Sequence, residues 1–294
     1  MELGRSKGRI VAASCPVCGA PKASLQLSLY TVSVYDVVRC RACRLVFACP
    51  RPLPEELSEF YSARYFRKTA ADCLGYEDYR GLGEMNARRM WTVLREKYLQ
   101  GMPTGRILDV GCATGGFLSE ASRDGWRCTG VEMSADASNI ARHEFGLEVL
   151  QGDLSTEALD LRRFDLVTMF HVVEHMIHPL KALERAAEVL VPGGILFVEL
   201  PNWDSMGRVL KGSAWSQLTP PEHINFFTPS SLRFAVEKTG MRVKVATSAY
   251  PLFADLARVR RWSRPAWIAL SGVASLASCL GYGGYVRLLA EKIQ

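Results

Sequence analysis

The sequence predicts an α/β fold on an open, mostly parallel sheet, preceded by a small cysteine-rich module. Three observations carry this. The stretch Arg106–Leu118, RILDVGCATGGFL, reads as a buried strand (Ile107, Leu108, Val110), an acid at its end (Asp109), a glycine-rich turn and the start of a helix. Further short apolar runs alternate with helical patterns downstream, the order that builds parallel strands with crossover helices. Four of the nine cysteines form two C-x-x-C pairs, Cys15/Cys18 and Cys40/Cys43, ahead of that pattern.

At 294 residues the chain has room for one full α/β domain and a small extra module. Its 48% hydrophobic and 22% charged residues exclude wholesale disorder. A formal charge of +6 is compatible with an anionic substrate such as a sugar nucleotide, with RNA or with a membrane surface, and selects none of them. The start MELGRSKGRIVAAS has no apolar core long enough for a signal peptide, so a cytoplasmic location is expected.

Residues 1–54 read as the cysteine module. Each C-x-x-C resembles a zinc knuckle, and Leu25–Val38 alternates well enough for a hairpin that brings the knuckles face to face. Four thiolates complete a tetrahedral ion with no open position, so Cys15, Cys18, Cys40 and Cys43 are expected to hold a structural zinc. A redox dithiol is the competing reading, and Cys49 is left out of the ligand set. Arg39, Arg41, Arg44 and Arg51 read as one basic edge, either solvated or a docking surface for nucleic acid. Pro50, Pro52 and Pro54 mark the exit. Residues 55–85 follow as an aromatic helical linker or lid, with Tyr61, Tyr65 and Phe66 as candidate contacts or as packing between the two domains.

The domain from 86 to 294 opens with a helix over Asn86–Leu99 and reaches the glycine turn after the first sheet strand. Gly111, Ala113 and Gly116 occupy the three places of G-x-G-x-x-G, and the missing middle glycine argues against a dinucleotide fold. The spacing D-x-G-x-x-x-G instead resembles the first motif of the class I S-adenosylmethionine (SAM) methyltransferases. Glu132, at the end of the strand Arg127–Val131, and Asp153, just after Leu147–Leu150, stand where that family places acids on the ribose and the adenine. The resemblance spans Asn86–Lys292. It implies a Rossmann-like seven-stranded sheet and SAM as cofactor, held by Asp109, Gly111, Cys112, Ala113, Gly115, Glu132, Met133, Asp153, Leu154 and His171. The bland alternative is that the three acids cap neighbouring helices.

After a helix from Ser134 to about Phe145, the strand Phe164–Met169 leads to FHVVEHMIHP, which holds three of the five histidines. His175 could serve as a catalytic or orienting residue. Alternatively, His171, Glu174 and His175 could bind a divalent metal; quinone-pathway O-methyltransferases resemble this stretch with Glu in place of His171. In a third reading Glu174 and His175 start a helix and only shape the pocket. A helix over Ala182–Leu190, a turn at Pro192-Gly193-Gly194 and the strand Ile195–Leu200 follow.

A second histidine site lies in Pro220–Pro229, PPEHINFFTP, where a Glu-His pair sits in a rigid apolar frame. The segment E-H-x-x-F-F-T-x-x-S-L is similar to one in SAM-dependent sugar C-methyltransferases, which implies His223 as the base with Glu222 supporting it. Those enzymes carry Tyr where Pro220 stands here, so O-methylation by the same base is weighed beside C-methylation. His223 could otherwise be packing under the next helix. Thr228 and Pro229 start that helix, Ser231–Thr239, before the strands Met241–Ser248 and Gly284–Lys292, the last antiparallel.

Between these strands lies an insertion, about 250–283, basic at Arg258, Arg260, Arg261 and Arg264 and then apolar, with Trp262 and Trp267. It is too short to span a bilayer, and reads as a helical lid or homodimer contact, or as a peripheral membrane contact. The expected activity is SAM-dependent methylation of a small hydroxylated acceptor, a sugar nucleotide or glycan in the favoured form. The rivals are an RNA methyltransferase docking its substrate through the ribbon, and a SAM-binding scaffold without catalysis.

Overall fold

A computed structural model of the chain describes residues 14–53, 56, 76–155, 163–249 and 276–293. The aromatic contacts expected at Tyr61, Tyr65 and Phe66, and the arginine- and tryptophan-bearing part of the insertion, lie outside the described residues. Among the described residues no helix is long and apolar enough to cross a membrane.

The cysteine module forms the expected hairpin from β1 (Leu25–Val32) and β2 (Tyr35–Cys40), paired from Leu25↔Cys40 to Val32↔Tyr35. A third strand follows, β3 (Val46–Cys49), antiparallel to β2. Its residues Val46, Phe47 and Ala48 have no exposed surface, because the sheet continues on the other side. The fourth strand comes from far along the chain: β9 (Asn225–Phe226) pairs Asn225↔Phe47 and Phe226↔Val46. The segment carrying the second histidine site is thus part of the ribbon's own sheet.

The main sheet has seven strands: β4 (Arg106–Val110), β5 (Arg127–Glu132), β6 (Glu148–Gln151), β7 (Phe164–Phe170), β8 (Leu190–Pro201), β10 (Met241–Ala249) and β11 (Tyr285–Lys292). Their order is β10-β11-β8-β7-β4-β5-β6, and β11 runs antiparallel to both of its neighbours, as expected. The central strands are apolar on both faces because helices cover both. Leu108, Leu166 and Leu196 are completely buried, each contributing roughly 1.5–3 kcal/mol.

The helix before the sheet, α1 (Tyr76–Tyr98), begins ten residues earlier than the apolar spacing suggests. Its Trp91 packs edge-on against Phe117 of α2 (Gly116–Arg123) and against Trp126. Ser134 caps α3 (Ala135–Phe145) as expected, accepting from the Ala137 N–H. Helix α4 (Pro179–Val189) starts after His178, so Glu174 and His175 lie in a turn and do not begin a helix. The Pro192-Gly193-Gly194 turn is also revised. β8 runs through it, and the register on β7 jumps from Phe164↔Leu190 to Leu166↔Ile195, so the glycines lie in an excursion within one strand. After the short α5 (Met206–Lys211), Thr228 and Ser231 form a reciprocal cap at α6 (Pro229–Glu237), which stops two residues before Thr239.

Candidate functional site

The glycine turn lies beyond the carboxyl end of β4, where an open α/β sheet leaves a crevice. Gly111 has φ +70, and a Cβ there would come within 2.5 Å of Val172 Cγ2. Only glycine lets the turn lie this close to the chain leaving β7. Ala113 is left-handed as well, at φ 50, and its N–H donates to Glu132 Oε2 at 3.0 Å. The Ser134 N–H donates to Glu132 Oε1 at 2.8 Å. Burial pushes the Glu132 carboxyl up, and these backbone donors oppose it.

Each Glu132 oxygen therefore keeps a lone pair for a hydroxyl donor, and Met133 beside it is 47% exposed, an apolar surface next to a carboxylate. That combination suits the ribose and base of an adenosine, so the residues present fit SAM. Asp153, beyond β6, accepts the Ser155 N–H at 2.8 Å and thereby also caps its own turn. Cys112 and Leu154 are buried beneath the crevice, whereas Gly115 turns the chain into α2 at φ 84.

Two expected cofactor residues sit differently. Asp109 is 4% exposed and accepts the Thr168 hydroxyl at 2.7 Å, so it supports the turn from below. Burial pushes its carboxyl up to about 7, against the pull of that hydrogen bond. His171, left-handed at φ 54, lies between two buried carboxylates, with Nδ1 3.4 Å from Glu174 Oε1 and Nε2 3.9 Å from Glu199 Oε1. Burial disfavours its charged form, but the Glu174 carboxylate outweighs that and raises its pKa. Glu199 in turn accepts from Arg287 in a buried ion pair.

The two histidine sites meet. The His175 and His223 rings stand 4.7 Å apart, edge to face. His175 Nδ1 lies 2.8 Å from the Glu222 carbonyl oxygen, and His223 Nδ1 lies 2.9 Å from that of Gln217. A carbonyl only accepts, so in each neutral ring Nδ1 carries the proton and Nε2 the lone pair. Glu222 thus contributes its backbone carbonyl to His175, while the Nδ1 of His223 is held by Gln217, not by the Glu222 carboxylate as expected. Burial and the neighbouring His175 lower the His223 pKa to about 4.

Behind the rings lies Glu174, 2% exposed, with both carboxylate oxygens buried and without a hydrogen-bond partner. Burial resists its ionisation, but the surrounding imidazoles, His171 first, hold the carboxyl below the usual range. The metal-capable grouping is also revised: Glu174, His175 and His223 each offer a ligand atom within 4.8 Å of the others, and His171 is not in that set.

In the ribbon, Cys15, Cys18, Cys40 and Cys43 bring their sulfurs within 4.8 Å of one another, with Cys15–Cys43 and Cys18–Cys40 at 3.5 Å. Tetrahedral zinc with sulfurs at about 2.3 Å sets them about 3.8 Å apart, so the four thiols fit that ion. The Cys43 thiol beside it pulls Cys15 down to about 5, while Cys43 itself is pushed up, as when two crowded sulfurs share one proton. Of the expected basic edge, Arg41 and Arg44 are exposed, but Arg51 is 6% exposed and belongs to the interior.

A mostly parallel sheet with a glycine turn at its centre and acids at successive strand ends defines an α/β domain of the SAM-dependent methyltransferase type. Residues 83–244 match the family model described as a methyltransferase domain, and the chain belongs to that family. The ubiquinone biosynthesis O-methyltransferase of Coxiella burnetii is 29% identical over 176 residues, covering 55% of this chain and 75% of that protein. Among solved structures, a SAM-dependent methyltransferase from Archaeoglobus fulgidus aligns with TM-score 0.52 at 22% identity over 74% of this chain and 97% of that one. Magnesium protoporphyrin IX methyltransferase from Synechocystis, with bound S-adenosylhomocysteine, gives TM-score 0.54 at 12% identity over 81% and 99%. At these identities the structures speak for the fold.

Proposed function

We propose that this methyltransferase moves a methyl group to a hydroxyl oxygen of a small acceptor, with His223 receiving the proton. The observation that carries this is the pair of imidazoles whose Nδ1 atoms are tied to backbone carbonyls, which leaves the His223 Nε2 lone pair available. When bound, SAM supplies an electrophilic methyl on a positively charged sulfur. Glu132, Met133 and Asp153 would hold it at the strand ends. His223 Nε2 would receive the proton of the acceptor hydroxyl as its oxygen takes the methyl, the bonding electron pair remaining with the cofactor's sulfur.

A pKa lowered to about 4 by burial and His175 keeps His223 neutral throughout the physiological range, with its lone pair unprotonated, and makes it a weaker base. Glu174 behind the rings favours the imidazolium that forms. Most of the acceleration comes from positioning, and the base adds about 10²–10⁴-fold. O-methylation is supported by the naming of the Coxiella relative. A sugar nucleotide or glycan as acceptor rests only on the likeness of Glu222–Ser231 to the sugar methyltransferase segment. The cysteine ribbon is assigned a structural zinc.

The test uses labelled SAM against two panels of acceptors, phenolic hydroxyls and sugar nucleotides, with His223→Ala alongside. One panel should be labelled by the native chain, and the variant should lose at least about 10²-fold in turnover while binding S-adenosylhomocysteine normally. Full turnover by the variant removes the base. A second reading is favoured by the convergence of Glu174, His175 and His223 within 4.8 Å, which suits a divalent ion assisting the acceptor oxygen. It predicts that chelated protein with its ribbon zinc intact regains activity only with added magnesium or manganese.

A further inference from the structure

Arg51, read from the sequence as part of a basic edge, is a buried charge in the fold. It leaves the ribbon two residues after β3, and its guanidinium reaches the turns that carry the two catalytic histidine candidates. Nη1 donates to the Ile224 carbonyl and to Asn225 Oδ1, both at 2.9 Å. Nη2 donates to the carbonyls of Met176 at 2.8 Å and Ile177 at 2.9 Å. The pattern is the same on both sides: Arg51 grips the first and second residues after His175, and the first and second residues after His223.

Asn225 completes the link by donating from Nδ2 to the Val173 carbonyl at 3.0 Å and the Met176 carbonyl at 2.7 Å. The Ile224 and Asn225 N–H groups both donate to the Glu174 carbonyl at 2.9 Å. Among the described residues no carboxylate forms a salt bridge with Arg51. A buried guanidinium whose four terminal N–H groups all meet acceptors on these two turns is costly to desolvate, and it is specific in what it aligns.

We propose that Arg51 is a positioning residue of the acceptor site, fixing the spacing and orientation of His175 and His223 from the ribbon, so that the cysteine module forms one wall of the methyl-acceptor pocket. The functional meaning rests on the reading of His223 as base; the placement itself does not. Arginine is required because its planar fork serves both turns at once, whereas lysine carries the charge without the fork.

The experiment uses the full chain, zinc-replete and labelled with ring-¹³C histidine, as the native protein and as Arg51→Met and Arg51→Lys. Three quantities are followed: the titration of each imidazole by NMR, zinc content, and the affinity for S-adenosylhomocysteine. The exposed His143 on α3 serves as the internal control. In Arg51→Met the His223 titration should rise by about one pH unit or more as its burial relaxes, the loss of its Nδ1 anchor opposing this as the smaller effect, and the His175 ring resonance should move from its native position. Zinc, S-adenosylhomocysteine affinity and His143 should stay unchanged, and Arg51→Lys should fall between.

Native titration of both rings in Arg51→Met overturns the proposal. If that variant fails to hold zinc and cofactor product, Arg51→Lys decides: intact binding with native ring titrations overturns the proposal, and shifted ring titrations support it. Full turnover of His223→Ala would remove the base reading and leave the ring measurement standing.

Discussion

Replacing Asp109 with asparagine keeps the shape of the side chain and its acceptance of the Thr168 hydroxyl, and removes only the titration. In the native chain burial lifts the Asp109 carboxyl from 3.8 to about 7, so the folded state holds a proton that the unfolded state has released. Stability is therefore lost as the pH rises from about 4 to 7, and the loss is complete above that window. About three pH units at about 1.4 kcal/mol each give about 4 kcal/mol. Over 294 residues, at about 2.1 cal/mol/K each, that corresponds to about 6 °C in melting temperature.

Asp109→Asn should accordingly melt at about the native temperature at pH 4 and progressively above it toward pH 8. Glu132 titrates in both chains but is coupled to Asp109 through their charges, so the difference reads Asp109 together with that coupling. The assay is thermal unfolding followed by circular dichroism across that range. A native-minus-variant difference that stays flat with pH refutes the reasoning, because it would mean that Asp109 is ionised at no cost.

Two further outcomes follow from the same geometry. Gly111→Ala should cost about 1–3 kcal/mol in denaturant unfolding and weaken S-adenosylhomocysteine binding by calorimetry, because φ +70 and the 2.5 Å approach to Val172 force the turn to move; unchanged binding would show that the turn yields freely. Chelation should lower the melting temperature, release one equivalent of zinc and alter the His223 environment through the β3–β9 pairing, and a chelated chain that melts as before would remove the structural zinc.

The parts of this molecule that are legible in its sequence are those with local signals. Glycines and acids at strand ends, the Thr228-Pro229 cap and the two C-x-x-C pairs each announce themselves within a few residues. The antiparallel last strand came from resemblance. What stayed hidden depends on contacts between distant positions. Arg51 in a proline-rich exit looks like a solvated cation, and only a partner 173 residues away shows otherwise. Asn225–Phe226 is too short to announce a strand, so the joining of ribbon and acceptor loop carried no pattern. Asp109 lies near the end of its strand as read, but its burial under the turn depends on Thr168, which reads as one more apolar-run residue.

The β3–β9 pairing also bears on how the molecule is made. Val46–Cys49 leaves the ribosome long before Ile224–Phe226 exists, so the ribbon must wait with an open, fully apolar strand edge. Such an edge invites pairing with other chains. Four cysteines that closed on zinc early would hold the waiting hairpin in shape until its last strand arrives, so during biosynthesis such a metal would act as a placeholder for contacts that do not yet exist.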